Sequence, residues 1–124
     1  MWFGNCFVLH SHFFVFHVVY FNDLLVGAIC TRVEENEKLY IMSITVLENF
    51  RRMKIGLYLM KYIENYALEH ENIKCIYLNV HTINKEAYDF YTQGCGFECS
   101  RRIPDYYHGL DPSDCFELIK HIRD

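Results

Sequence analysis

The chain has 124 residues, a length that holds one domain rather than two. Apolar residues make up 52% of it and charged residues only 23%, a composition that excludes an intrinsically disordered protein. The net charge of −4 argues against a broad basic surface, the feature that marks nucleic-acid-binding proteins.

The first segment, Met1 to Val19, is the one part of the chain that resembles a membrane span or a targeting signal. It lacks a basic start and a small-residue cleavage site, and His10, His12 and His17 interrupt the apolar run. Its many Phe and Val residues favour buried strand instead, so a membrane helix is the less favoured alternative.

The next segments predict an antiparallel sheet. Phe13 to Phe21 and Leu24 to Val33 have strand composition and flank the tight turn Asn22-Asp23, which predicts a hairpin. A charged turn at residues 34–38 leads to a third strand, Leu39 to Val46.

Helical and strand patterns then alternate. Apolar residues recur at helical spacing from Ile55 to about Glu71, and Lys74 to Val80 follows as a strand parallel to the third one. Asn84 is a candidate N-cap for a second helix that reaches about Gln93. Two strands complete the order β-β-β-α-β-α-β-β, Phe97 to Ile103 and Ser113 to Ile122. The fold class is α/β, with a mixed sheet and one central parallel strand pair.

A basic loop, Arg51-Arg52-Met53-Lys54-Ile55-Gly56, lies where the third strand ends and the first helix begins. Helix N-termini present unpaired N–H groups and a positive dipole end, so this position suits an anion such as pyrophosphate. Basic loops are also often solvated surface, and the loop alone does not separate these two interpretations.

The cysteines form no CxxC pair, and we interpret them as reduced, buried thiols of an intracellular, cytoplasmic protein. A metal site built from Cys95, Cys99 and His108 is a weaker alternative, because the paired spacing of zinc ligands is missing. The six cysteines are Cys6, Cys30, Cys75, Cys95, Cys99 and Cys115.

The basic loop resembles the acetyl-CoA-binding motif Arg/Gln-x-x-Gly-x-Gly/Ala of the GNAT acetyltransferases, with Arg51 and Gly56 in register. Further motifs resemble the NatE-type N-alpha-acetyltransferases of this superfamily, from Tyr20 to about Ile122. They are Leu39-Tyr40-Ile41-Met42, Ile76-Tyr77-Leu78-Asn79-Val80, Asn84 with Ala87, Asp89-Phe90-Tyr91, Asp105-Tyr106-Tyr107 and Asp111-Pro112-Ser113-Asp114.

The resemblance implies a three-layer GNAT domain at residues 18–124, after an unmatched apolar segment at residues 1–17. It implies that the family's first strand and first two helices are missing. It also implies transfer of acetyl from acetyl-CoA to the α-amine of protein or peptide N-termini by direct attack in a ternary complex, without a metal. An auxiliary subunit of a ribosome-associated complex is the implied partner.

The resemblance also implies which residues bind acetyl-CoA. They are the loop residues Arg51, Arg52, Met53, Lys54, Ile55 and Gly56, together with Leu57, Ile44, Val46, Asn84 and Tyr91. Lys54 stands where the family has its first motif glycine, so a Cβ occupies a position at which glycine permits a close approach or a positive φ.

Tyr40 matches the family's catalytic tyrosine and is the candidate to accept the amine proton, directly or through water. Asn79 stands at the position of the family's catalytic histidine. His81 follows two residues later on the same side of the strand and is a second candidate base. By the same resemblance, Tyr91 would protonate or hydrogen-bond the departing sulfur. The candidate substrate contacts are Met42, Tyr106 and Tyr107.

Two further functions stay open on the sequence alone. One is a GNAT acetyltransferase that acts on lysine or small amines. The other is a catalytically weak acetyl-CoA-binding subunit of an N-terminal acetyltransferase complex, which the residues at positions 54 and 79 favour.

Overall fold

The computed structural model describes residues 6–10 by their backbone and residues 14–123 in full. Within these residues, seven strands form one sheet in the order β1-β2-β3-β4-β5-β7-β6. The strands are β1 (Cys6–His10), β2 (Phe14–Phe21), β3 (Leu24–Val33), β4 (Lys38–Val46), β5 (Cys75–His81), β6 (Glu98–Ile103) and β7 (Cys115–His121). The helices are α1 (Ile55–Glu69) and α2 (Lys85–Asp89), with a 3-10 turn at Glu48–Met53 and a π-helical turn at Phe90–Gly94.

The predicted mixed sheet is confirmed. All neighbouring strands pair antiparallel except β4 and β5, which form the single parallel pair in the described sheet. Strand β1 is an addition, since it lies inside the apolar segment Met1 to Val19 and pairs with β2. None of the helices in the described ranges has both the length and the apolarity needed to cross a bilayer.

Local sequence explains the first hairpin and the first helix. Asn22 and Asp23 both adopt positive φ, which the tight turn between two twisted strands requires. In α1, apolar side chains recur every four residues and are buried against the sheet, at Ile55, Leu59, Ile63 and Ala67. This burial fixes α1 on one face of the sheet.

Close packing at Gly27 of β3 sets the position of the α1 N-terminus. A Cβ on Gly27 would lie 2.8 Å from Cγ2 of Ile55, so a larger residue there would push the helix start away from the sheet. The absence of a side chain at this position thus determines where the basic loop stands.

The central parallel pair is short. Strands β4 and β5 pair only from Lys38 with Cys75 to Tyr40 with Tyr77, although β4 continues to Val46. Beyond this point the two strands leave a gap in the sheet. Next to the gap, Leu39 and Ile76 are buried on the face of the sheet that α1 covers. Tyr40 and Tyr77 lie on the opposite face.

The five cysteines among residues 14–123 are free. Cys75, Cys95 and Cys115 are buried as predicted. The prediction is wrong for Cys99, which is exposed on β6, and Cys30 is only partly buried.

Candidate active site

A cleft of about 680 Å³ opens beside the gap between β4 and β5. One wall comes from β4, the basic loop and the start of α1: Ile44, Thr45, Val46, Arg51, Arg52, Lys54, Gly56 and Leu57. The other wall comes from α2 and the π-helical turn: Asn84, Glu86, Ala87, Phe90, Tyr91 and Gly94. The volume is that of an ordinary ligand-binding pocket.

The basic loop is a 3-10 turn joined to α1 through Lys54. Lys54 has φ +62° and ψ +22°, the left-handed conformation that glycine adopts most easily, as expected for a residue at the family's glycine position. Among residues 14–123 no side chain caps the N-terminus of α1, so its first N–H groups stay available to an outside acceptor. The helix start therefore has the properties of an anion site.

Three exposed cations surround this helix start: Arg51, Arg52 and Lys54. Nε of Arg51 donates to the carbonyl oxygen of Val46 at 3.1 Å, so the side chain bridges the loop to the end of β4. The two terminal guanidinium nitrogens of Arg51 take no part in that hydrogen bond. Against these cations stands one lining carboxylate, Glu86.

Two of the predicted cofactor-binding residues do not line the cleft with their side chains. Ile55 is 1% exposed and belongs to the core, and Met53 is exposed but is not among the residues that line the cleft. Ile55 still carries the first backbone N–H of α1. The loop thus offers the cleft a backbone N–H group at Ile55 and positively charged side chains at Arg51, Arg52 and Lys54.

Asn84 is the predicted N-cap of α2. Its Oδ1 accepts a hydrogen bond from the backbone N–H of Ala87 at 3.1 Å. The lining residues Ala87, Tyr91 and Gly94 follow Asn84 at helical spacing on one face. The sequence analysis missed Thr45, Glu86, Ala87, Phe90 and Gly94, and this spacing is a signal that could have identified Ala87 and Gly94.

Phe90 closes the base of the cleft against Gly56. A Cβ on Gly56 would lie 3.1 Å from the Phe90 ring, so a larger residue there would push the ring back by a few tenths of an ångström. The ring of Phe90 also packs edge-on to that of Tyr91, with centroids 5.1 Å apart.

Tyr91 is the lining residue with a titratable hydroxyl in a dry setting. It is 7% exposed and packs against Phe97. Burial raises its pKa well above the usual value, with a smaller contribution from Cys95. The Tyr91 hydroxyl therefore keeps its proton at neutral pH and can donate a hydrogen bond.

Tyr40 lies across the gap, on the face opposite α1. Its ring is 4.9 Å from that of Tyr77, and the Arg32 guanidinium stands 5.3 Å above it. The pKa of Tyr40 is raised to about 12, mainly by burial and next by the Tyr106 hydroxyl, whereas the Asn79 amide acts to lower it. These signs fit a Tyr40 hydroxyl that donates to Tyr106 and accepts from Asn79. Tyr40 is thus a neutral phenol at physiological pH.

Asn79 follows the parallel pair on β5 and alternates to the same side as Tyr77. Its Oδ1 is buried and accepts no hydrogen bond from the described residues. A buried carbonyl oxygen without a donor is uncommon in folded proteins, so this atom is a candidate for a contact with a ligand.

His81 holds a loop. Its Nε2 donates to the carbonyl oxygen of Pro112, and its ring meets that of Tyr107 edge-on at 5.0 Å. The structure therefore engages His81 with the loop at residues 104–114, and its action as a base stays a prediction.

That loop carries both predicted substrate tyrosines. The rings of Tyr106 and Tyr107 meet edge-on at 4.9 Å, and the backbone N–H of Tyr107 donates to Ser113 at 2.8 Å. Asp114 accepts from Arg102 at 2.8 Å and from the backbone N–H of Asp105 at 3.0 Å. The tyrosines are thus held by a tied loop, with Tyr106 beside Tyr40.

Met42 is the remaining predicted substrate contact. It is 45% exposed and falls where the pairing of β3 with β4 shifts register. The shift lets Ile44 and Val46 pack toward the core and the cleft.

An ionic pair supports Tyr40 from the side of β3. The hydroxyl of Tyr77 donates to Glu34 at 2.5 Å, and Glu34 pairs with Arg32 at 3.3 Å. The hydrogen bond from Tyr77 is the main cause that holds the pKa of Glu34 below its usual value, so this carboxylate is ionised.

Within residues 14–123, no three His, Cys, Asp or Glu side chains come together as metal ligands would.

The candidate active site combines two parts, one on each side of the gap between β4 and β5. On one side lies a cleft with a basic helix N-terminus and a buried tyrosine, and on the other a half-buried tyrosine with an asparagine.

Comparison with known proteins bears on this arrangement. The sequence profile of the Acetyltransferase (GNAT) family matches residues 2–97. This match includes most of residues 1–17. Strand β2 runs across residue 17, where the boundary between the N-terminal segment and the domain was predicted. That domain boundary stays a prediction.

Two relatives align with most of the chain. N-alpha-acetyltransferase 50 of Danio rerio is 37% identical over 109 residues, which cover 86% of this chain and 64% of that protein. Probable N-acetyltransferase san of Drosophila melanogaster is 36% identical over 109 residues, which cover 86% of this chain and 59% of that protein. The chain thus spans less than two thirds of the length of either relative.

A solved structure has the same fold. Arabidopsis thaliana Naa50, in complex with the bisubstrate analogue CoA-Ac-MVNAL, superposes with a TM-score of 0.76 at 35% identity. The superposition covers 85% of this chain and 71% of that one.

Proposed function

The chain belongs to the acetyltransferase (GNAT) family, and we propose that it transfers acetyl from acetyl-CoA to the α-amine of protein or peptide N-termini. The observation that carries the proposal is the uncapped N-terminus of α1, which opens into a cleft beside three cations. The relatives named as N-alpha-acetyltransferases support the choice of acceptor.

The diphosphate of the coenzyme is the natural ligand of the helix start. The backbone N–H groups of Ile55, Gly56 and Leu57 would bind its oxygens, because no side chain within the described part of the chain caps them. Arg52 and Lys54 add charge, and Arg51 adds the guanidinium nitrogens that its bond to Val46 leaves over.

The thioester end of the substrate would lie along β4 toward the gap. Ile44 and Val46 line this path, and beyond Tyr40 the edge of β4 that faces β5 has no strand partner. Asn84, whose Oδ1 is engaged in capping α2, has its amide nitrogen left for a contact in the cleft. The residues present fit a coenzyme that carries its acyl group into the gap.

Tyr91 stabilises the departing sulfur. A thiol has a pKa near 8.5, whereas burial keeps that of Tyr91 well above its ordinary value. Full proton transfer from Tyr91 to the thiolate is therefore uphill. The hydroxyl acts by donating a hydrogen bond to the sulfur as negative charge develops there.

Tyr40 lies where the amine attacks. Because burial raises its pKa to about 12, it holds its own proton and does not act as a ready tyrosinate. Its hydroxyl instead orders the amine, or a water that removes the amine proton, together with Tyr106. The tied loop that carries Tyr106 and Tyr107 covers the acceptor.

The acceptor class follows from acidity. An α-amine has a pKa of about 8 and a lysine side chain about 10.4, so at neutral pH roughly a tenth of the former but well under a hundredth of the latter is neutral. A site in which the tyrosine at the gap holds its proton favours the amine that is already neutral. This supports N-termini over lysine.

The experiment that tests the proposal measures acetyl-CoA turnover on peptides with free N-termini, on the same peptides with blocked N-termini and an internal lysine, and on free amines. We expect turnover only with free N-termini. Equal turnover of the blocked lysine peptides would replace the proposal with a lysine acetyltransferase.

A second candidate is a catalytically weak acetyl-CoA-binding subunit of an N-terminal acetyltransferase complex. The observation in its favour is Asn79, a side chain that cannot take up a proton, at the position of the family's catalytic histidine. This candidate predicts thermal stabilisation by acetyl-CoA without turnover on any peptide.

An auxiliary subunit and a cytoplasmic location stay predictions. The relatives include proteins named as subunits of N-terminal acetyltransferase complexes, which supports an association of this kind without identifying the partner. Turnover measured with and without candidate ribosome-associated subunits tests the association.

A further inference from the structure

We propose that the Oδ1 atom of Asn79 binds an N–H of the incoming neutral amine, so that the acceptor is held by a group that cannot titrate. This inference rests on the proposed function and deepens it. It assigns the amine-binding atom and predicts which molecule sets the pH dependence of the reaction.

The first step is that Oδ1 of Asn79 has no hydrogen-bond partner in the described part of the chain. Oδ1 of Asn79 is buried, and no donor among the described residues reaches it. Buried carbonyl oxygens are nearly always paired in folded proteins, so an unpaired one needs an explanation, of which a role in catalysis is one. The missing partner must be a donor, which a primary amine provides and a thioester does not.

The second step is where the atom lies. Asn79 is two residues beyond Tyr77, the last residue of β5 that pairs with β4. It therefore borders the gap on the face of Tyr40, and its amide acts on the Tyr40 hydroxyl. An amine held by Oδ1 would stand between the tyrosine pair and the coenzyme cleft.

The third step concerns the charged groups that face this position. Arg32 of β3 pairs with Glu34, which follows the end of that strand. On β7, Glu117 lies beside Asn79 in the sheet and is engaged by Arg101 at 3.3 Å and by Ser100 at 2.8 Å. Each of these charged side chains is thus paired with another side chain.

The uncharged titratable groups on this face are also engaged. Burial is the main cause that keeps the pKa values of Tyr40, Tyr77 and Tyr107 above the ordinary tyrosine value. Tyr106 is placed beside Tyr40, and Nε2 of His81 donates to Pro112. Among the described side chains on this face, Nδ1 of His81 is thus the remaining candidate base near neutral pH, and its ring is held against the loop at residues 104–114.

The chemistry follows from the hydrogen-bonding capacity of each partner. A neutral amine has two N–H donors and one lone pair, so a bond from one N–H to Oδ1 leaves the lone pair free to attack. The nitrogen forms the new C–N bond while the C–S bond breaks. The amine loses one proton to water, and the sulfur leaves as thiolate and takes a proton from solvent.

The test uses the unaltered chain and two acceptor peptides that differ only at the first residue, alanine in one and 3-fluoroalanine in the other. Fluorine makes the second α-amine more acidic, and an NMR titration gives both amine pKa values. We expect kcat/KM to rise with pH to a plateau, with a midpoint that shifts by the difference between the two amines. A midpoint at the same pH for both peptides would overturn the inference, because an enzyme group would then set it.

Two variants sharpen the assignment. Asn79→Ala should lower kcat/KM by roughly tenfold, the effect of one lost hydrogen bond, and leave acetyl-CoA affinity unchanged. Asn79→His should add an inflection near pH 6.5, about the pKa of a free imidazole. Unchanged kcat/KM in a folded Asn79→Ala variant would contradict the inference. No turnover on any peptide despite acetyl-CoA binding would instead overturn the proposed function, and this inference with it.

Discussion

Replacing Lys54 by glycine separates the two properties of this residue, its backbone conformation and its charge. The backbone of Lys54 is left-handed, with φ +62°, and a non-glycine residue in this region is destabilised by about 1–2 kcal/mol. Glycine removes that strain, but it adds about 0.5–1 kcal/mol of freedom to the unfolded chain. The net expectation for Lys54→Gly is a gain of about 0.5–1 kcal/mol in the free energy of unfolding.

Lys54→Ala is the matched control, since alanine loses the charge but keeps the Cβ. Its free energy of unfolding should stay within about 0.5 kcal/mol of the parent, as is usual for an exposed position. Urea unfolding followed by circular dichroism measures both differences. The glycine variant should also melt about 2–4 °C higher than the alanine variant.

Acetyl-CoA affinity should follow the charge instead. An exposed lysine that contacts a phosphate contributes about 1 kcal/mol, so calorimetry should show both variants binding roughly fivefold more weakly. Equal stability of the glycine and alanine variants would refute the strain at residue 54. Full affinity in both would refute the contact of Lys54 with the coenzyme.

The remaining predictions concern Arg51, Tyr40 and His17. Arg51→Ala should weaken acetyl-CoA binding by roughly tenfold in calorimetry, because it removes the charge and the bond to Val46, and Arg51→Lys should recover only part of it. Tyr40→Phe should lower kcat on peptides at least about tenfold with acetyl-CoA affinity retained, since Tyr40 lies outside the cleft lining; unchanged kcat would remove Tyr40 from the mechanism. His17 is 2% exposed and stacks on Tyr62 with ring centroids 3.8 Å apart, and burial lowers its pKa. On acidification the imidazole of the unfolded chain is therefore protonated at a higher pH than that of the folded chain. The free energy of unfolding should consequently fall as the pH drops below 6.5. His17→Phe should flatten that acid limb in urea titrations, and an identical limb would exclude His17 as its source.

Much of the fold could be predicted from local pattern. The period of Ile55, Leu59 and Ile63 identified α1, and the turn at Asn22-Asp23 identified the hairpin. Buried strand was the favoured interpretation of Met1 to Val19, but its division into β1 and β2 could not be predicted, because a continuous apolar run does not show where one strand ends and its partner begins.

The coenzyme side of the site was largely predictable, because it is built from consecutive residues. The loop from Arg51 to Gly56 and the cap at Asn84 can be identified from neighbouring sequence. The residues missed on the far wall, such as Phe90, enter the cleft through packing against Gly56. That packing is a tertiary contact that no local pattern specifies.

The acceptor side depends on contacts between distant segments. The hydrogen bond from His81 to Pro112 joins residues 31 positions apart, and the one from Tyr77 to Glu34 joins residues 43 apart. Spacing alone placed His81 on the correct side of β5 but could not indicate that its ring is engaged with a loop. The same limit applies to the unpaired oxygen of Asn79.

The central claim is that the start of α1 binds the coenzyme's diphosphate, and backbone NMR tests it most directly. Titration with acetyl-CoA should shift the amide resonances of Ile55, Gly56 and Leu57 in a saturable manner, with smaller shifts at the far end of the helix near Glu69. Amide resonances at the helix start that stay in place at saturating acetyl-CoA would contradict the account.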